Sequence, residues 1–266
     1  MVRAVDKNNE DDFLKVLCSN PLFGTSILTN YEVYGCDERY VSQWVVYDAH
    51  ANAHLAVQHY HGTLTLCCAP EDDDSEFFAA FLSLAPYWRS IIGPERLLRS
   101  LPARVTGDRG MRTGSIMTLG GKNPVHFELP EGVQLVMGPD PRRLFGLLGE
   151  CSDEYKKRAD FQLWYTDLSY RLRHGGVRVV VLKAGGLYAS TASAFITGKT
   201  AVIRDVCTLT DMRGRGYAKA AVSALGQTLC AAGITPCLMS VSPEADALYR
   251  MGGFRLQSIW AALYNN

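Results

Sequence analysis

Asp211-Met212-Arg213-Gly214-Arg215-Gly216-Tyr217-Ala218 is the stretch on which the reading of this chain turns. Before it, Ala201-Val-Ile-Arg-Asp-Val-Cys-Thr-Leu209 is rich in β-branched and apolar residues and predicts a buried strand. After it, Ala218, Ala221, Val222, Leu225 and Leu229 recur at helical spacing until Gly233 ends the helix. A strand, a glycine-arginine loop and a helix N-terminus together make a cradle for phosphate. The first-turn N–H groups and the positive end of the helix dipole point at the loop. Glycines let the backbone approach a ligand closely, and Arg213 and Arg215 add charge.

The rest of the composition narrows the classes. A chain of 266 residues can form one large domain or two ordinary ones. With 47% apolar and 20% charged residues it has the balance of a folded protein, not a disordered one. The 27 basic and 27 acidic side chains give a formal net charge of +0. No nucleic-acid partner and no membrane surface is expected from that balance. Residues 1–10 turn polar at once, unlike a signal peptide, and no apolar run reaches the length of a membrane span. Of the eight cysteines, Cys67 and Cys68 are adjacent and the others are scattered, with no Cys-x-x-Cys pair. That spacing favours neither a disulfide framework nor a metal site, so reduced thiols and a cytoplasmic location are expected.

In the N-terminal half, residues 11–18 predict a short amphipathic helix with Phe13, Leu14 and Leu17 on its apolar side. Residues 24–34 carry a weaker helical pattern. Strands are predicted over 40–47, 53–59 and 63–68, the first two joined by the polar turn Asp48-Ala-His-Ala-Asn52. An acidic turn, Glu71-Asp72-Asp73-Asp74-Ser75, leads into a helix over 76–84. Its carboxylates read as charges at a helix start, because consecutive carboxylates rarely converge on one ion without a shaped loop. His59 and His61, two apart, read as polar residues sharing one strand face, since no partner carboxylate or cysteine motif completes a zinc site. Beyond them come a strand over 87–92, a helix over 94–99, a strand plus loop over 106–123, and strands over 125–129 and 133–137 about the Pro130-Glu-Gly132 turn.

In the C-terminal half, Asp140-Pro141 opens a helix to about residue 149. Residues 159–173 predict a longer one, on which Trp164 and Tyr165 either line a pocket or, as aromatics on such helices more often do, join the core. Strands over 177–183, 187–196 and 201–209 form an antiparallel meander. The arginine-glycine loop and its helix follow, then a strand over 235–241, a helix over 243–251 closed by Gly252-Gly253, and a strand over 254–263. The fold class is α/β (α+β mixed), a mixed sheet flanked by helices.

Two motifs in this order carry a family resemblance. Arg213-Gly-Arg-Gly216-Tyr-Ala218 resembles the Arg/Gln-x-x-Gly-x-Gly/Ala signature of the GNAT superfamily of acyl-CoA N-acyltransferases. Ser242-x-x-Ala245-x-x-Leu248-Tyr249-x-x-x-Gly253-Phe254 resembles the family's Asn-x-x-Ala-x-x-Leu-Tyr-x-x-x-Gly-Phe segment, with Ser242 in place of the usual Asn. The resemblance spans residues 140 to the end. The N-terminal half echoes the same element order, as if the unit occurred twice. The expected domains are then a degenerate GNAT-like domain over 1–133 and a GNAT N-acetyltransferase domain over 134–266. In the first, acidic residues stand where the phosphate loop should lie and would repel a pyrophosphate.

The resemblance implies an N-acetyltransferase that moves an acetyl (acyl) group from acetyl-CoA, its co-substrate, to a primary amine of a small molecule or peptide, without a metal. The amides of Gly214, Arg215, Gly216, Tyr217, Ala218 and Lys219 would take the pyrophosphate beside Arg213, with Ser242 also in the CoA-binding set. Val206, Cys207 and Thr208 would pair with the pantetheine arm. Tyr249 would protonate the leaving thiolate, or else be a core tyrosine on Phe254. For the base, the strand offers Asp205: a bulge would turn it inward, and otherwise it is an ion-pair partner on the sheet while a water chain removes the proton. Cys207 has no base beside it and reads as a core or thioester-lining residue. The competing reading is a non-catalytic acyl-CoA-binding or scaffolding protein that keeps the loop and has lost the base.

Overall fold

Runs such as Val177-Arg-Val-Val-Val-Leu182 have the β-branched density that packs on a pleated surface, and they form the strands on which both halves of the chain are built. The computed structural model describes residues 1–36, 41–69, 75–83, 85, 87–106, 110–120, 128–158 and 160–265. The chain divides into two compact units, Met1–Ile116 with Ser258–Asn266, and Met117–Gln257.

The first stretch runs β1 (Val2–Ala4), α1 (Glu10–Ser19), α2 (Pro21–Tyr34), β2 (Ser42–Tyr47), β3 (Ala53–Tyr60), β4 (Thr63–Cys68), α3 (Ser75–Leu82), β5 (Ser90–Pro94), α4 (Glu95–Arg99), α5 (Ala103–Thr106) and β6 (Met111–Thr118). Strands β1 to β4 pair antiparallel in sequence order, and β4 pairs parallel with β5. One sheet face buries Val46, Leu55, Val57, Leu64, Leu66 and Ile91 against Phe78 and Phe81 of α3 and Leu97 and Leu98 of α4. The helices α1 and α2 bind the opposite face, where Gln58 Nε2 donates to Ile27 O and the Cys67 thiol donates to Val16 O. Gly24 explains how closely these two helices run: a Cβ there would stand 2.1 Å from Leu17 O. The weak helical pattern expected from residue 24 therefore starts earlier, at Pro21, whose fixed φ suits a first helical position. His61 lies outside β3 in a left-handed turn at φ +48°, so it does not share a strand face with His59. The acidic residues 71–74 and the expected strand residues 125–127 lie outside the described residues.

The second stretch runs β7 (Val133–Met137), α6 (Pro141–Cys151), α7 (Asp153–Arg158), α8 (Phe161–Arg173), β8 (Val177–Ala184), β9 (Leu187–Thr197), β10 (Thr200–Thr208), α9 (Tyr217–Ala231), β11 (Thr235–Ser240), α10 (Pro243–Met251) and β12 (Arg255–Tyr264). Strands β7 to β10 pair antiparallel in sequence order, and β10 pairs parallel with β11. Alternation along β8 sends Val180 and Leu182 to one face, against Ala221, Leu225 and Leu229 of α9. It sends Val177, Val179 and Val181 to the other, against Leu144, Leu148 and Leu168 of α6 and α8. Strand β12 ends in the first unit, where Trp260–Tyr264 pair antiparallel with β5. All eight cysteines are free thiols. No described helix is long and apolar enough to cross a membrane, and no group of three or more His, Cys, Asp or Glu among the described residues is arranged to hold a metal ion.

Candidate active site

The site is built where β10 leaves its neighbours. Its parallel ladder with β11 runs from Thr200↔Thr235 to Ile203↔Leu238. On the other side its pairing with β9 slips, with Arg204 opposite Ser193 but Cys207 opposite Thr191, so the strand carries an extra residue. The bulge holds Asp205 at φ +53°, a left-handed conformation that costs a non-glycine residue about 1–2 kcal/mol. Strain of that kind persists where the surroundings hold it, and here they do. The Tyr155 hydroxyl of α7 donates to Asp205 Oδ1 at 3.1 Å, and Ser193 of β9 bonds the same carboxylate. Burial pushes the Asp205 carboxyl above the usual carboxylate range, against the opposing pull of Arg204, Tyr155 and Ser193. A carboxylate raised in this way is a better proton acceptor near neutral pH.

After the bulge come Val206, Cys207 and Thr208. Val206 and Cys207 are partly exposed, whereas Thr208 is buried and its hydroxyl lies 2.9 Å from Ser190 Oγ. Ser190 also donates to Cys207 O at 2.8 Å. Burial, and then the neighbouring Cys151 thiol that bonds to it, push the Cys207 thiol up, so at neutral pH it is protonated. That fits a lining residue and not a nucleophile.

The strand then enters a single 3-10 turn, Thr210–Met212, and the arginine-glycine loop. Arg213 Nε donates to Thr208 O and Arg215 Nη2 to Asp211 O, each at 3.2 Å, so the two arginines brace the loop at its two ends. Gly214 and Gly216 stand at φ +76° and +78°, which only glycine adopts without strain. A Cβ at either would meet no atom within 4 Å, so the loop faces open space. Helices α6, α8 and α10 are closed by side chains: Asp140 accepts from Arg143 N, Asp160 from Leu163 N and Ser242 from Ala245 N. Helix α9 starts at Gly216 with no side-chain cap, leaving its first-turn amides at Tyr217, Ala218 and Lys219 for a ligand. An uncapped start, glycines facing space and two arginines form a set of donors that fits a pyrophosphate.

Ser242 is accounted for locally as the N-cap of α10. Tyr249 is buried on that helix, its ring 6.1 Å from Phe254 and edge-on to it. Both readings of Tyr249 thus have a physical basis, since the ring packs while its hydroxyl stays protonated. Burial, with a smaller push from Asp246, raises that hydroxyl above the ordinary tyrosine value.

No protein-family model matches this sequence, and no curated protein matches it. Solved structures do. A GCN5-related N-acetyltransferase from Sphaerobacter thermophilus superposes with a TM-score of 0.67 at 18% identity, over 100% of this chain and 95% of that one. A GCN5-related N-acetyltransferase from Kribbella flavida does so at 0.61 and 15%, over 90% and 95%. A tandem GNAT protein from the clavulanic acid biosynthesis pathway matches at 0.57 and 15%, over 100% and 99%. The chain has the GNAT fold. Within that fold the mixed sheet flanked by helices is present, with two such units in tandem along the chain.

One site residue carries no sequence signal of its own kind. Helix α7 has a single large ring, Tyr155, among charges, so no apolar period announces it. Its ends do offer a signal, with acids at the start and Lys156-Lys157-Arg158 at the finish, the polarity that suits a helix dipole.

Proposed function

We propose that the second unit transfers an acyl group, acetyl being the first candidate, from acyl-CoA to a primary amine. The observation that carries this reading is Asp205, held left-handed on a bulge within three residues of the open strand end that leads to the arginine-glycine loop. A carboxylate at that position supports transfer over the alternative, a binding protein that has lost its base.

In this reading the loop amides at 214–219 and Arg213 and Arg215 hold the pyrophosphate, and the backbone of 206–208 aligns the pantetheine arm beside the bulge. Acyl-CoA supplies an activated carbonyl on a thiol leaving group. Asp205 takes a proton from the ammonium form of the acceptor, so the neutral amine can attack. A main-chain N–H beside the bulge polarises the carbonyl oxygen as charge develops on it. Nitrogen bonds to the acyl carbon, the carbon–sulfur bond breaks with its electron pair on sulfur, and the new amide nitrogen sheds its second proton to water. The Tyr249 hydroxyl protonates the sulfur and is reprotonated from solvent, to which Asp205 also returns its proton. Holding amine and thioester in contact turns a bimolecular step into an intramolecular one.

Thermal stabilisation by acetyl-CoA, followed by thiol release with a panel of amines, tests this. Stabilisation with turnover is the expected result. Stabilisation without turnover of any amine would leave a binding protein, and no stabilisation by any acyl-CoA would remove both readings.

A further inference from the structure

Tyr155, the partner of Asp205, belongs to a set of rings. Phe145 of α6, Tyr155 of α7 and Phe161 and Trp164 of α8 form one cluster, with Phe145 at its centre. Its centroid lies 6.1 Å from Tyr155, 5.2 Å from Phe161 and 5.1 Å from Trp164. None of the four is fully buried, so the cluster is a wall reached by solvent and not part of the deep core. Trp164 also hydrogen-bonds Tyr155, whose hydroxyl donates to Asp205, so the wall is tied directly to the carboxylate. Partly exposed rings tied to an acid are the makings of a pocket for a molecule with an apolar body and one polar end.

Charge narrows the polar end. The nearby acid Asp167 is held by the fully buried Arg171 at 2.7 Å. Arg171 and Arg204 both lie over the Phe195 ring, at 5.0 and 5.2 Å from its centroid. Asp167 is thus engaged by Arg171, while Asp205 is the carboxylate that the ring cluster reaches through Tyr155. One ammonium beside rings gains both a carboxylate and ring-face attraction, which favours an amine carrying a ring of its own.

We infer that the acceptor is an arylalkylamine, its ammonium at Asp205 and its ring against Trp164, Tyr155 and Phe145. The inference rests on the acyl-transfer reading and names the substrate class for it. Steady-state kinetics with acetyl-CoA as donor and phenethylamine, n-butylamine, spermidine and a lysine-containing peptide as acceptors tests it. Phenethylamine is expected to exceed each of the others by about tenfold or more in kcat/KM, the scale of one well-placed ring. Trp164→Leu and Phe145→Leu should each collapse that ratio towards unity while stabilisation by acetyl-CoA, which reports folding, is kept. Trp164→Phe retains a ring and should retain most of the preference, and it replaces Trp164→Leu if that variant does not fold. A best substrate among spermidine, butylamine or the peptide, or a ratio unmoved in both leucine variants, overturns the inference and leaves acyl transfer standing. Stabilisation by acetyl-CoA with no amine acetylated overturns acyl transfer and the inference together.

Discussion

Strands β4 and β10 hold the same place in the element order of their units, yet they finish in opposite ways. Each pairs with a parallel neighbour only over its first residues, Thr63–Thr65 against β5 and Thr200–Ile203 against β11. Past that point β4 stays regular against β3, with Leu55 opposite Cys68 and Tyr60 opposite Thr63. The end of β4 is then closed by its own unit. Leu66 covers Gly93, where a Cβ would stand 2.8 Å from the Leu66 Cβ. Asn20 Nδ2 donates to Cys68 O at 3.0 Å, and the buried Cys67 thiol donates to Val16 O and Asn20 O. β10 instead bulges at Asp205, leaves Val206 and Cys207 partly exposed and runs into an uncapped helix. The described end of β4 is thus held by side chains of its own unit, whereas β10 runs on into a loop whose glycines face open space.

The sharpest way to break that contrast is to remove the proposed base. Asp205→Asn keeps the shape and the Tyr155 contact but cannot take a proton, so kcat should fall by about 10²–10⁴-fold with acetyl-CoA affinity unchanged. Steady-state kinetics alongside a binding titration checks both numbers. Wild-type kcat/KM should fall as pH drops through the Asp205 pKa, because only the carboxylate accepts a proton. Burial raises that pKa, so the fall begins above about 3.9, the ordinary aspartate value, and Asp205→Asn should erase this limb. The sign for stability is the reverse: a raised folded pKa means the native state loses the Asp205 contribution as pH rises from about 3.9 through the folded value.

Tyr249→Phe should lower kcat by about 10- to 100-fold and leave acetyl-CoA binding near wild type; an unchanged kcat would return Tyr249 to a purely packing role. Since its hydroxyl is raised above the tyrosine norm, its ionisation should not limit wild-type activity below about pH 10. Gly216→Val puts a β-branched residue at φ +78° and a side chain into the open space of the loop, and should weaken acetyl-CoA binding by about tenfold in calorimetry. The smallest effect belongs to the sealed strand. Asn20→Ala removes a buried hydrogen bond to Cys68 O and should cost about 1–2 kcal/mol in denaturant unfolding, with transfer kinetics per folded molecule unaltered.

Much of this was legible beforehand, for physical reasons. The meander of β8 to β10 announces itself through β-branched runs, and α9 through its apolar period after Gly216, because local pattern and final packing agree there. The bulge was visible only as a possibility, since Asp205 among alternating residues does not say which way it turns; the strain at φ +53° is set by Tyr155 and Ser193 from other elements. Helix α7 was missed because one ring among charges has no period. The pairing of Trp260–Tyr264 with β5 could not be read either: an apolar strand does not specify which sheet edge it will join.

The asymmetry between the two strands is tested most directly by calorimetric titration of the chain with acetyl-CoA. The account predicts a single site per chain, weakened by Gly216→Val and untouched by Asn20→Ala. Two equivalent sites, or a site indifferent to Gly216→Val, would contradict it.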